Sequence, residues 1–159
     1  MYQVRKACAA DMPDICHIYE LAREFMRHSG NPYQWGTEKP SLKQIHTDIE
    51  NENLYVLVDQ HGVHGVFALI LGEDPTYTHI DGGSWSRQDH YATIHRIAGD
   101  GTGGIFSAAL NFCQVRCKYL RIDTHENNAV MLHLLEKHGF TRCGIIHIGD
   151  GTPRIAFDK

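Results

Sequence analysis

The sequence predicts a protein of the mixed α and β class (α/β, in its α+β form), and three features carry that expectation. Residues 54–59 and 63–71 are apolar, β-branched runs separated by Gln60-His61-Gly62, and so short a gap containing glycine makes a hairpin of antiparallel strands. Residues 143–149 and 153–157 repeat the pattern around Asp150-Gly151. Between the two hairpins, residues 91–140 read as strand, glycine-rich turn, helix, strand, helix.

In chain order, residues 2–7 alternate as a first strand. Asp11 then offers an N-cap with Pro13 in the first turn, and Ile15, Ile18, Tyr19, Ala22, Phe25 and Met26 recur at helical spacing to about Arg27. Residues 29–40 hold two prolines and two glycines and read as a loop, in which Trp35 walls a substrate or plugs the core. Ser41 caps a second helix with Leu42, Ile45 and Ile49 facing inward. After the first hairpin comes a long loop, residues 72–90, punctuated by Asp74-Pro75 and Gly82-Gly83. Residues 91–98 suit a half-buried strand, and residues 105–117, with Ile105, Ala108, Ala109, Phe112 and Cys113 on one face, suit an amphipathic helix.

At 159 residues and 42% apolar content the chain suits one domain spanning 1–159. A net charge of -4 argues against a duplex nucleic acid partner. The longest apolar run, residues 66–71, is far below membrane-spanning length, and the first residues lack the apolar core of a signal peptide, so a cytoplasmic protein with no membrane partner is expected. Cysteines at 8, 16, 113, 117 and 143 form no C-x-x-C and read as small buried apolar residues. Twelve histidines form no H-E-x-x-H, since His125-Glu126 lacks the second His, so no metal is expected.

The turn Gly99-Asp-Gly-Thr-Gly-Gly104 sits where a helix N-terminus would hold a phosphate. Two nucleotide-type cofactors could use it. Gly99, Gly101 and Gly104 satisfy the dinucleotide fingerprint G-x-G-x-x-G, with Asp123 about 20 residues on. Coenzyme A also rests its pyrophosphate on a helix N-terminus. Leu120-Arg-Ile-Asp-Thr-His-Glu-Asn-Asn128 and Leu135-Glu-Lys-His-Gly-Phe140 decide between them: this stretch resembles the GCN5-related N-acetyltransferase (GNAT) family, where a strand, an Asn and a helix closing in Lys-x-Gly-Phe form half of the acetyl-CoA site. The resemblance runs from Leu54 to the end, most specifically over residues 104–110, Asn128 and Gly139-Phe140. It implies a mixed, mostly antiparallel sheet of about seven strands flanked by about four helices, split where a pantetheine arm enters. It also implies acetyl transfer from acetyl-CoA to a primary amine of a small molecule or peptide, by direct attack in a ternary complex, in a protein of a shape that often forms homodimers. A CoA-binding or ligand-sensing protein that transfers nothing is the alternative. An NAD-binding oxidoreductase is disfavoured by the antiparallel hairpins and by the mere 36 residues after Asp123.

The resemblance further implies site residues. Backbone N–H groups of Ile97, Ala98 and Gly99 would stabilise the thioester oxygen. Those of Thr102, Gly103, Gly104, Ile105, Phe106 and Ser107 would hold the diphosphate. Asn128 would contact the pantetheine arm or simply supply helix N-terminal polarity. Trp35, Glu73, Tyr77 and Trp85 would border the acceptor, unless the long loop is only a surface excursion. His95 and His125 are the candidate bases, with Glu73 and Asp123 as competitors, Asp123 alternatively capping a helix or pairing with Arg96 or Arg121. Two departures stand out. In the family pattern of Arg or Gln, two residues, Gly, one residue, then Gly or Ala, counting from Gly104 puts Gly101 in the basic position and Phe106 in the small one; counting from Gly101 puts Ala98 first. The first register keeps the helix's apolar face. The Tyr that the family often carries seven residues after the Asn is here Leu135, with His133 elsewhere on the helix.

Overall fold

In the computed structural model, which describes residues 1–159, the strands are β1 (Gln3–Lys6), β2 (Leu54–Asp59), β3 (Gly62–Leu71), β4 (Ala92–Gly99), β5 (Leu120–Thr124), β6 (Thr141–His147) and β7 (Pro153–Asp158). The helices are α1 (Met12–His28), α2 (Leu42–Glu50), α3 (Ile105–Arg116) and α4 (Ala129–Lys137). All seven strands form one sheet in the order β1-β2-β3-β4-β5-β7-β6. Every neighbouring pair is antiparallel except β4 and β5. This is the mixed, mostly antiparallel sheet that the sequence predicts, and it excludes a doubly wound parallel fold.

The period-2 alternation of the strands sorts their side chains onto two apolar faces. On β3, Phe67 and Leu69 join Ile94, Ile105, Ala109, Leu120 and Leu135 under α3 and α4. Val66 and Ala68 point the other way, to Ile15, Ile18, Tyr19 and Ile45 of α1 and α2. A strand buried on both faces reads as a continuous apolar run, which is why residues 66–71 stand out in the sequence. Helices α1 and α2 pack on β2, β3 and β4. Over β5, β7 and β6 the same face is covered by the 72–91 loop, whose Tyr77 and Trp85 pack with Tyr91, Tyr119, Cys143, Ile146 and Ala156 as a third core.

Several local expectations change. Asp11 stands at the helix entry, but its carboxylate turns back to accept from Arg5 at 2.7 and 2.8 Å and from the Cys8 amide at 2.9 Å, closing the 3-10 turn at residues 9–11 rather than capping α1. Ser41 does cap α2, accepting from the Gln44 amide at 3.1 Å. Phe25 and Leu42 are exposed rather than inward, and of the cysteines only Cys113 and Cys143 are fully buried while Cys8 is exposed. No helix is long and apolar enough to cross a membrane.

Candidate active site

Parallel pairing of β4 with β5 consists of Ala92↔Leu120 and Thr93↔Arg121 and stops there. Beyond Thr93 the strands diverge, and a cavity of about 890 Å³ opens between them, walled by β4, the end of β5, α2, the 29–41 loop and the start of β7. A β-bulge shapes the β4 wall. Val66 pairs with Ala98 and Ala68 with His95, so Phe67 faces both Arg96 and Ile97. Arg96 takes φ of 52°, a left-handed value rare outside glycine. Its strain is held from two sides: Tyr19 Oη donates to Arg96 O at 2.8 Å, and the guanidinium grips Asp48 through Nε at 2.7 Å and Nη2 at 2.9 Å.

His95 lies on the cavity wall beside Arg96 and Ile97. Its Nε2 sits 2.7 Å from Asp74 Oδ2. Asp74 in turn accepts from the Thr76 amide at 2.8 Å and hydroxyl at 2.6 Å, and its own amide donates to Tyr91 Oη at 2.7 Å. Burial alone would raise the Asp74 carboxyl; the His95 imidazole and the Thr76 donors outweigh it and bring the group down to about 2. An ionised Asp74 fixes the proton of neutral His95 on Nε2 and leaves Nδ1 as an acceptor.

Past Gly99 the chain makes the glycine-rich turn. Gly101, Gly103 and Gly104 all have positive φ, and Gly104 stands at the N-cap of α3 with no side-chain cap. The first backbone bond of α3 is Ala108 N to Gly104 O, so the amides of Ile105, Phe106 and Ser107 carry no intrahelical partner. The turn is braced on its outer side. Asp100 accepts from the Thr102 amide at 3.0 Å and hydroxyl at 2.7 Å, and His64 bridges Asp100 and Asp59, each at 2.8 Å. Beneath it, Gly65 and Gly99 face each other across β3 and β4, and Ile105 sits on both: a Cβ at Gly65 would lie 2.7 Å, and one at Gly99 2.9 Å, from Ile105 carbons. The two glycines thereby let the α3 N-terminus seat directly on the sheet.

The other predicted residues divide. Trp35 and Asn128 line the cavity with His95 and Ile97. Asn128 caps α4, accepting from the Met131 amide at 3.1 Å, and its Nδ2 donates to Gln34 Oε1 at 3.0 Å. Tyr77 and Trp85 lie off the wall in the third core, so the loop lines the cavity with Asp74 and Thr76 instead. Tyr77 still reaches the site, donating to Asp123 Oδ2 at 2.6 Å; Asp123 therefore neither caps a helix nor pairs with Arg96 or Arg121. Glu73 is exposed and off the wall. His125 is also off the wall: it is buried, its Nδ1 accepts from the Asn127 amide at 3.1 Å, and burial reinforced by the Arg154 charge pushes its imidazole below the ordinary value. Leu135 is fully buried under α4 and His133 is exposed. Sequence reasoning missed Asp48, Gln34 and Arg154, whose places depend on partners far along the chain.

No protein-family model matches the chain, and no curated protein matches it. Solved structures do. A GNAT-family acetyltransferase from Streptococcus agalactiae 2603 is 30% identical, with a TM-score of 0.88 over 99% of this chain and 94% of that one. A GNAT-family acetyltransferase from Listeria monocytogenes 4b F2365 is 18% identical, with a TM-score of 0.72 over 99% of this chain and 94% of that one. The GNAT-superfamily phosphinothricin acetyltransferase from Sinorhizobium meliloti, solved in complex with AcCoA, is 18% identical, with a TM-score of 0.65 over 99% of this chain and 87% of that one. The last two share the fold; the first also shares sequence along nearly its whole length. With a sheet that parts after two rungs, a bulged fourth strand and an uncapped glycine-led helix at the parting, this chain belongs to the GNAT family of acetyltransferases.

Proposed function

We propose that this protein transfers an acetyl group from acetyl-CoA to a primary amine of a small molecule or peptide, with both bound at once. The observation that carries this reading is the parting of β4 from β5, which has the α3 N-terminus at its glycine end and the His95–Asp74 pair on its wall. The residues present suit such a cofactor. Positive-φ glycines and the free amides of Ile105, Phe106 and Ser107 make a cradle for a diphosphate. The parted edges of β4 and β5 leave backbone groups for an amide-bearing arm, as Asn128 does at the far side. Support also comes from the Sinorhizobium meliloti neighbour's complex with AcCoA.

When bound, acetyl-CoA would supply a thioester carbonyl, to which the amine nitrogen bonds as the carbon–sulfur bond breaks. His95 Nδ1 would accept the proton the amine gives up, with Asp74 holding the ring and stabilising its charged form. The Ile97 amide, turned by the bulge, would face the carbonyl oxygen. With Leu135 in the core no phenol stands by the leaving sulfur, so water would protonate it.

The same Leu135, together with a glycine in place of the diphosphate-contacting Arg or Gln, favours a second reading, CoA binding without transfer. Thermal shift with acetyl-CoA, CoA and NADH, followed by thiol release against an amine library, separates the two. At 100 times Kd a ligand adds about 2.7 kcal/mol, or roughly 5–10 °C for a chain of this size. Acetyl-CoA stabilisation with amine-dependent thiol release supports transfer, stabilisation alone supports the second reading, and a shift with NADH only refutes both.

A further inference from the structure

The permanent cations on the cavity wall other than Arg154 each have a carboxylate partner: Arg96 has Asp48, and Lys39 stands 3.6 Å from Asp150. Arg154 has none. It is 5% exposed, and its guanidinium touches only neutral acceptors, Nη1 donating to Pro153 O at 3.1 Å and Nη2 to Gln34 O at 3.2 Å. A guanidinium carries five N–H donors, of which two are used here; Nε has no protein partner and is not sealed from solvent, and Arg154 lines the cavity. Burial works against its charge, and only the more distant Asp123 and Asp150 work for it. A buried cation without a counter-charge is costly to keep.

Its position gives that cost a use. Ile155 pairs with Thr124, the last residue of β5, so Arg154 stands just past the end of that strand, across the gap from His95 on β4. Asp123, on the same wall, gives one oxygen to Tyr77 and has no protein partner for the other. We propose that the acceptor is an amine that also carries a carboxylate, an amino-acid-type molecule, with its carboxylate received by the Arg154 guanidinium and its nitrogen turned to His95. The inference rests on the acetyl-transfer reading of the same cavity. A single guanidinium, flanked by Asp123 and with no second unpaired cation, suits a singly charged carboxylate in a fork-to-fork pair better than a phosphate dianion.

The test uses the full chain, acetyl-CoA and matched acceptors: each protein amino acid, its carboxamide and its decarboxylated amine, with O-phosphoethanolamine as the phosphate arm, read by thiol release. The best acid is expected to exceed its two counterparts that lack the carboxylate by about 10- to 100-fold in kcat/KM. Arg154→Gln should erase that preference, raising KM for the acid far more than for the amines that lack a carboxylate; Arg154→Lys should restore part of it. A purely structural Arg154 would instead lower all the substrates together, and that result overturns the inference. So does wild-type turnover of plain amines or of O-phosphoethanolamine at or above that of the acids, which needs no variant and leaves acetyl transfer itself standing. Thiol release with none of the amines, while acetyl-CoA still raises Tm, overturns the transfer reading and the inference with it.

Discussion

Replacing His95 with Gln isolates proton transfer from architecture. The Gln amide can still donate to Asp74 Oδ2, so the anchor that ties the 72–91 loop to β4 survives, but it cannot take a proton. A positioned general base contributes roughly 10²- to 10⁴-fold, so kcat/KM for an amine should fall by at least about 100-fold, or ~2.7 kcal/mol in the barrier. Asp74→Asn should cost less. The Asp74 carboxyl is brought from 3.8 to about 2, a displacement worth on the order of 2–3 kcal/mol and shared between His95 and Thr76. Losing the share that orients and charges the imidazole amounts to about 1 kcal/mol, or roughly five- to tenfold in rate. The sign of the linkage keeps the two residues apart. A depressed carboxyl pKa contributes stability that is complete above about 4 and lost as pH falls through about 2, so Asp74 stays ionised throughout a rate profile measured above about pH 5. An acid limb inside that window belongs to an imidazole. Stopped thiol-release assays from about pH 5.5 to 9 on the wild type and both variants supply the comparison. His95→Gln with wild-type kcat/KM and an unchanged profile would refute the assignment.

Gly99→Ala places a Cβ 2.9 Å from Ile105 Cγ1 and should lift the α3 N-terminus off the sheet; about 1–3 kcal/mol should be lost in urea unfolding, with a smaller acetyl-CoA thermal shift, and a variant that keeps both counts against the seat. Asp48→Asn leaves Arg96 without its counter-charge at the strained bulge; the expected loss is about 2–3 kcal/mol, with faster amide exchange at residues 95–98, and an unchanged denaturation midpoint argues against the clamp. His64 is bonded to Asp100 and Asp59, and these bonds raise its pKa above 6.5. Its contribution is complete below that value and fades as pH rises through the raised one, so the Tm gap between wild type and His64→Gln should narrow from acid to mildly alkaline pH, and a gap independent of pH removes the bridge.

Local signals were legible where short-range physics decides. Both hairpins, the Ser41 cap and the glycine turn before α3 depend on residues within a few positions, and each forms close to its predicted place. What the sequence hid lies in long-range pairing. Asp48 and Arg96 are 48 residues apart, and Gln34 meets Arg154 across 120, so neither bond leaves a mark on periodicity. The 72–91 loop looked like either a surface excursion or a pocket wall because its aromatics have no period; their partners Tyr119, Cys143, Ile146 and Ala156 arrive from the entry to β5 and from β6 and β7. Glu73 and Asp74 differ by one position, yet only the backbone course after β3 decides which one meets His95. Phe25 and Leu42 fit the helical spacing but fall beyond the reach of the sheet, where a regular pattern has nothing to pack on.

The outer borders of the sheet and its inner parting meet the hazard of bare strand edges in different ways. β1 carries Arg5 and Lys6 on one border, and β6 carries Arg142 beside an irregular register on the other, features that discourage another chain from adding a strand. The facing margins of β4 and β5 instead lie in a recess roofed by the 29–41 loop and Asp74–Thr76. A strand from another chain would have to enter that recess to reach those margins, so the surrounding layers do for β4 and β5 what basic residues do at the outer borders.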